Sequence, residues 1–285
     1  MYREYDRGLD SRLLHEALYA GAIVRFRELE AMRALAAASR TFIERFLSPH
    51  HPTEIHRHFE EQALAAILSA AQREFANTVE IKHLWQTLLT EVGLDPSATA
   101  RDRLILRFQP PHPRGARREW ARSTATVSFH RDSWGTNLYA QVNWWAPIYP
   151  ITAGRTFAFY PKLFARPLAN SSADFDIDDV VRRNREAPET VREGDLLPRL
   201  LEEVDPRDAL PVTIDPGEVI AFSAQHAHVG IQNHTDYTRI SLDTRTLQIQ
   251  GTSTAMANTR WLPSFPQPSG SLPTWSRSNI SGRLC

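Results

Sequence analysis

Hydrophobic positions recur at two different periods along this chain, and the change falls near residue 103. Over residues 10–100 the apolar side chains return at helical intervals. Within "ELEAMRALAAASRTFIERFLS", Met32, Leu35, Ala36, Phe42, Ile43 and Phe46 follow that rhythm. The stretch is rich in Ala, Leu, Glu and Arg, which lose little freedom in a helix. "PTEIHRHFEEQALAAILSAAQREFANTV" and "IKHLWQTLLTEVGL" continue the pattern, with Gly93 and Pro96 as a stop signal.

Beyond residue 103 the period shortens to two. "RLILRFQP", "TATVSFH", "LYAQVNWWAP", "RTFAFYP", "VTIDPGEVIAFSA" and "RISLDTRTLQI" are short, β-branched and aromatic, and several are bounded by Pro or Gly. Asp215-Pro216-Gly217-Glu218 suits a type II turn, with Pro second and Gly third. So many strands without long intervening helices predict a sandwich or jelly roll. The expected class is mainly β with a helical N-terminal portion. One domain, 1–285, then divides into helices over 1–102, a β core over 103–250 and a Ser/Thr/Pro-rich tail over 251–285. The polar stretch 166–210 is too long for a hairpin loop and reads as an insertion of the kind that forms lids or binding loops.

Composition narrows the function classes. With 285 residues, 33 basic against 33 acidic side chains and 42% hydrophobic residues, this is an ordinary globular composition without a global field for nucleic acid or an anionic membrane. Cys285 is the only cysteine, which excludes a disulfide framework and a thiolate metal cluster. The start lacks an apolar signal segment, and no apolar run approaches membrane-span length. The expectation is a cytoplasmic protein with a small-molecule substrate and neither nucleic acid nor membrane as partner. Oligomeric state is not legible.

The candidate chemistry lies in two stretches. In "FHRDSW", His130 and Asp132 stand two apart; on a strand, i and i+2 project to the same side and can chelate one ion. In "AFSAQHAHVGIQNHTDYTRISLDTRTL", a strand ends at His226 and His228, and Arg239 and Ser241 begin another. Two histidines and one carboxylate make a facial triad for non-haem Fe(II), with coordination positions left open. An inward Arg beside a Ser can hold a carboxylate as a planar fork. His226 and His228 share a strand face and compete for the third ligand position. Arg239 and Arg245, six apart, also share a face, together with Ser241 and Asp243.

The ordered elements His130-Arg131-Asp132, His228, Asn233 and Arg239-x-Ser241 resemble the Fe(II)/2-oxoglutarate-dependent dioxygenases, nearest the phytanoyl-CoA dioxygenase-like branch. "FHRDSWGTNLYAQVNWWAP…TFAFYP" is similar to bacterial members of antibiotic gene clusters, including the streptomycin type. The likeness spans roughly residues 100–247. It implies a double-stranded β-helix (jelly roll, cupin-like), with Fe(II), the cosubstrate 2-oxoglutarate and O2. His130, Asp132 and His228 would be the iron ligands, Arg239 the partner of the 2-oxoglutarate C5 carboxylate and Ser241 a hydrogen-bond donor to it. The Asn233 and Arg239 spacings favour His228 over His226, and Arg239 is favoured over Arg245 on depth. Asp132 argues against the halogenating subset, so hydroxylation or another two-electron oxidation of a small, polar, natural-product-like molecule is expected. A 2-oxoglutarate-independent cupin-type oxygenase and a non-catalytic jelly-roll binding protein are the alternatives.

Around this set, Gln141 and Asn143 occupy one face of "YAQVNWW" and either line the pocket, touching 2-oxoglutarate, or form a solvated face. Trp134 and Asn137 either meet substrate or make a turn. Arg155, Tyr160 and Lys162 are further substrate-contact candidates. The basic loop 112–122 is either solvated or a receiver for an anionic substrate. His56 and His58, two apart in a helical segment, do not face one another and are read as surface histidines.

Overall fold

The first helix starts where Asp10 turns its carboxylate back onto the chain, accepting the N–H groups of Arg12 (3.0 Å) and Leu13 (3.3 Å). In the computed structural model, which describes residues 2–112, 126–136, 138–187 and 196–248, the N-terminal part runs β1 (Tyr2–Tyr5), α1 (Ser11–Tyr19), β2 (Ile23–Phe26), α2 (Glu30–Leu47), α3 (Glu61–Asn77) and α4 (Val79–Glu91). Then follow β3 (Thr99–Arg101), β4 (Ile105–Gln109), α5 (Asp132–Thr136), β5 (Gln141–Pro147), β6 (Phe157–Phe159), α6 (Ile177–Glu186), β7 (Leu210–Pro211), β8 (Val219–Ser223), β9 (His228–Gly230) and β10 (Arg239–Gln248).

Seven strands form one sheet in the order β1-β2-β8-β5-β10-β3, with β4 also paired to β10; β7-β6-β9 form a second sheet. The period of two along the strands separates two apolar layers. Val142, Trp144, Ala146, Val219, Ala221, Ile240 and Leu242 point from the large sheet into a cluster with the apolar stripes of α2, α3 and α4. Trp144 packs edge-on against Trp85 of α4, with ring centroids 6.2 Å apart. On the opposite face, Trp145, Ile220 and Phe222 meet Phe157 and Phe159 of the second sheet. Emptying such a buried aromatic position costs about 3–5 kcal/mol, so both layers hold β5 and β8 firmly in place.

Two sequence expectations change here. The class is a helix-and-sheet fold rather than mainly β, because α1–α4 supply much of the core that backs the large sheet. Nor is the 1–102 portion purely helical. Ile23–Phe26 is a strand paired antiparallel to β8, and Tyr2–Tyr5 runs parallel beside it. A four-residue run such as "IVRF" is too short for its period to register beside a long helix. The turn over Asp215–Glu218 forms as expected: the Glu218 N–H donates to the Asp215 carbonyl at 3.0 Å, and Gly217 has φ +96°, which favours glycine. The tail 251–285 and nearly all of the basic loop 112–122 lie outside the described residues. Among the described residues no helix is long and apolar enough to cross a membrane.

Candidate metal and anion site

The stretch leading to His130 is drawn against β9. The Gly230 N–H donates to the Val127 carbonyl at 2.8 Å, and a Cβ at Gly230 would stand only 2.9–3.0 Å from Thr126 and Val127 atoms. The contact closes with a reciprocal pair of bonds, His130 N–H to His228 O and His228 N–H to His130 O, each 3.0 Å. The two imidazoles therefore lie with ring centroids 4.2 Å apart. After His130 the chain turns, and Asp132 opens the short helix α5, whose Ser133 N–H donates to Ala224 O at 3.2 Å.

His130 and Asp132 were expected to share one strand face; instead the strand-like pairing stops at His130 and Asp132 begins a helix. The carboxylate reaches the same point all the same. Arg131 between them is buried and aimed elsewhere, donating to the carbonyls of Leu163 and Arg166, the latter at 2.8 Å.

The side chains of His130, Asp132 and His228 converge, with their donor atoms all within 4.8 Å of one another. His130 Nε2 lies 3.9 Å from Asp132 Oδ1, and His228 Nε2 lies 3.8 Å from Asp132 Oδ2. Each remaining Nδ1 faces a carbonyl: Ser128 O at 2.8 Å for His130, and His226 O at 2.9 Å for His228. A carbonyl can only accept, so each Nδ1 carries a proton and each Nε2 is the ring nitrogen turned towards the cluster. Burial, with His228 alongside, lowers His130 to about 4, keeping it neutral. Burial alone would raise Asp132, but His130, His228, Arg245 and a hydrogen bond from Asn143 outweigh it and hold the carboxyl below its ordinary range. Two imidazoles and one carboxylate, each fixed from behind, are consistent with iron binding.

Behind the carboxylate, Asn143 Nδ2 donates to Asp132 Oδ2 and Gln141 Nε2 donates to Asn143 Oδ1, both at 2.8 Å. Both amides are buried, so the solvated-face alternative does not apply. Asn143 thus donates to Asp132, and Gln141 donates to Asn143.

Trp145, Phe157, Phe222, Arg107, Arg239 and Arg245 help line a cavity of about 240 Å³ that the three candidate ligands also reach. Arg239, Ser241, Asp243 and Arg245 alternate with the core-facing Ile240 and Leu242, as the period of two predicts. Arg239 is buried, and its Nε and Nη1 have no hydrogen-bond partner; the buried Ser241 hydroxyl has none either. Burial, reinforced by nearby Arg107, lowers Arg239 to about 9. Asp243 does not neutralise Arg239 by direct contact; it pairs with Arg107 Nε at 2.5 Å. An unsatisfied buried guanidinium costs free energy on its own, so its surroundings fit an arriving anion. A carboxylate matches both Arg239 and the Ser241 hydroxyl.

The remaining candidates lie elsewhere. His226 is outside the cluster, with Ser223 O at 3.1 Å from Nδ1 and Gly21 O at 3.2 Å from Nε2. Asn233 organises the turn before β10, donating to the carbonyls of Gln109 and Tyr237. Arg155 donates to Pro150 O and lies over the Tyr237 ring, while Tyr160 and Trp134 belong to an apolar cluster with Phe129; none of the three lines the cavity. Lys162 pairs with Asp208 on the surface. His56 faces Thr238 and His58 stacks on His50. Asn137 lies outside the described residues. Residues 166–210 bring Leu196 and Leu197 to the cavity. Arg107, Leu196 and Leu197 were not foreseen, although the alternation in "RLILRFQP" already puts Arg107 opposite Leu106 and Phe108.

No protein-family model matches this chain, and no curated protein does. Solved structures do resemble it. EvdO2 from Micromonospora carbonacea var. aurantiaca, complexed with 2-oxoglutarate, is 13% identical over 86% of this chain and 94% of its own, with a TM-score of 0.48. The epimerase SnoN in complex with Fe3+, alpha ketoglutarate and nogalamycin RO is 16% identical over 92% of this chain and 95% of its own, with a TM-score of 0.43. The non-heme monooxygenase ThoJ in its apo form is 13% identical over 76% and 70% of the two chains, with a TM-score of 0.42.

Proposed function

We propose that this protein is a non-haem Fe(II)/2-oxoglutarate-dependent oxygenase on a double-stranded β-helix, related to the phytanoyl-CoA dioxygenase-like branch. Its substrate would be a small, polar, natural-product-like molecule. The observation that carries the reading is the pairing, on one cavity, of a pre-oriented His130–Asp132–His228 triad with Arg239, a buried cation that lacks hydrogen-bond partners at Nε and Nη1. A metal site alone would leave Arg239 and Ser241 unexplained, which disfavours an oxygenase that works without 2-oxoglutarate.

Fe(II) with 2-oxoglutarate and O2 supplies a two-electron oxidant for a substrate C–H bond. The chain's own contribution is placement. His130, Asp132 and His228 would hold the ion from the protein side, leaving its other positions to the cavity. Arg239 and Ser241 would grip the distal carboxylate of the cosubstrate, with charge-assisted bonds that also satisfy their own donors. Trp145, Phe157 and Phe222, with Leu196 and Leu197 from the insertion, provide apolar wall that limits water around the reacting atoms. Asp132 fills the third protein position, which supports hydroxylation over halogenation.

The test is an anaerobic titration of the metal-free protein with Fe(II) and 2-oxoglutarate, following the weak visible charge-transfer absorption of a chelated 2-oxo acid. Wild type should develop the band. Asp132→Ala should lose it, with metal affinity down at least about 100-fold, since the variant removes the anionic ligand. A folded wild type that binds Fe(II) without any band on adding 2-oxoglutarate would sink the cosubstrate assignment.

A further inference from the structure

We infer that the cavity is built for an anionic substrate and that Arg245 is the side chain that receives its acidic oxygen group, a carboxylate or a phosphate. The inference rests on the oxygenase reading above and adds the substrate's charge class.

Charge balance is the first support. Among the described lining residues, three guanidiniums (Arg107, Arg239 and Arg245) face two carboxylates, Asp132 and Asp243. One positive charge is left over. A divalent ion raises the excess to three, and a dianionic cosubstrate returns it to one. A neutral substrate would leave that charge, beside an apolar wall of Trp145, Phe157 and Phe222, to the distant and partly exposed Asp102 alone.

Geometry says which arginine is free to act. Arg107 is committed to Asp243 at 2.5 Å. Arg239 is buried and has Ser241 two positions along on the same strand face, a pair suited to one carboxylate. Arg245 is different. Its side chain is 42% exposed, its Nη2 lies 3.6 Å from Asp132 Oδ1, and its Nη1 lies 4.0 Å from Asp102 Oδ2. Both separations are loose for a fork that can make paired bonds at about 2.7–2.9 Å. The Asp102 partner is itself one-third exposed, and pairs of that kind hold weakly. Once Asp132 gives its charge to a metal, Arg245 keeps only that partner. It then stands between solvent and the metal position, able to turn its fork onto an entering anion and to set the adjoining carbons next to the ion.

The experiment uses the full chain loaded with Mn(II) and saturating 2-oxoglutarate, with inorganic phosphate and formate as probes. Paramagnetic relaxation of the phosphate ³¹P and formate ¹³C signals reports anions held close to the metal. Wild type should enhance relaxation of at least one probe saturably, and the stronger probe identifies phosphate or carboxylate as the preferred group. Arg245→Gln should weaken that binding roughly tenfold or more, the loss expected for one charge-assisted hydrogen bond. Arg245→Lys should retain part of it, which also covers the case of a poorly folded glutamine variant. No saturable enhancement in wild type, or enhancement unchanged in Arg245→Gln, overturns the inference; the second result would mean that the probe binds the metal directly. A larger loss of 2-oxoglutarate affinity than of probe affinity in Arg245→Gln also overturns it, by assigning Arg245 to the cosubstrate. Failure of the oxygenase reading appears separately, as a missing Fe(II)–2-oxoglutarate band in wild type while probe relaxation is still measurable with metal alone.

Discussion

Two sets of residues, which meet one cavity through the His130–Asp132–His228 cluster and through Arg239, are satisfied in opposite ways. Around His130, Asp132 and His228, the side chains are held by neighbours: both Nδ1 atoms face carbonyls, and Asp132 Oδ2 accepts from an amide that a second amide holds in turn. Around Arg239 and Ser241, two guanidinium nitrogens and a hydroxyl are buried with no hydrogen-bond partner. The difference separates two kinds of readiness. The first set is rigid before anything binds, as a metal site of fixed geometry requires. The second has unmet donors, and on the proposed function their free-energy cost in the empty protein would become affinity for an anion.

The largest effect expected from breaking this contrast is at Arg239. Arg239→Met removes a buried, unneutralised charge and replaces it with an apolar chain of similar reach. Substitutions of this kind are often neutral or stabilising, by up to a few kcal/mol. The metal-free variant should therefore melt at or above the wild-type temperature, while 2-oxoglutarate affinity falls about 100-fold. A variant that melts well below wild type would mean that Arg239 already has partners in the empty protein, and the contrast between the two sets would collapse.

A smaller effect is expected on the metal side. Asn143→Leu keeps the volume and removes the donor to Asp132 Oδ2. Loss of a supporting hydrogen bond behind a metal ligand typically lowers affinity about 10–100-fold. Fe(II) affinity should fall within that range, with 2-oxoglutarate affinity for the loaded protein nearly unchanged. Gln141→Leu acts one bond further away and should cost less. Equal losses in the two variants, or a direct loss of 2-oxoglutarate binding from either, would favour a cavity-facing role for these amides over the positioning role drawn from their geometry.

The alternation of β10 was legible in the sequence because a strand buried on one face has no freedom to change register. That alone placed Arg239, Ser241, Asp243 and Arg245 on one side. The competition between His226 and His228 was not decidable from a two-residue spacing. The fold sets His228, and not His226, beside His130 by exchanging both backbone bonds between them, a long-range pairing with no local signature. Asp132 shows the reverse case: its carboxylate meets His130 and His228, but the shared strand face expected from the spacing does not exist, since the chain turns into α5 there. The long-range partners of Arg107 and Arg245 were likewise invisible, because they lie on strands adjacent only after folding. The β2 strand escaped notice because four residues carry too little periodicity beside α2.

A final prediction tests whether burial alone sets the charge state of histidines inside and outside the cluster. His130 and His226 are both lowered from 6.5 to about 4, in each case chiefly by burial. In the unfolded chain these groups titrate near the ordinary value, so between pH 6.5 and 4 the unfolded state binds more protons than the folded one. Stability of the metal-free protein then rises with pH across that window and is lost as the pH falls through it, by up to about 1.4 kcal/mol per pH unit for each group. Denaturant titrations at pH 7, 6, 5 and 4.5 should show this slope. His130→Gln and His226→Gln should each remove one share of it, though only the first touches the metal site. If His226→Gln leaves the slope intact while His130→Gln removes it, the crowding of the two cluster imidazoles, rather than burial common to both sites, governs the acid limit of this fold.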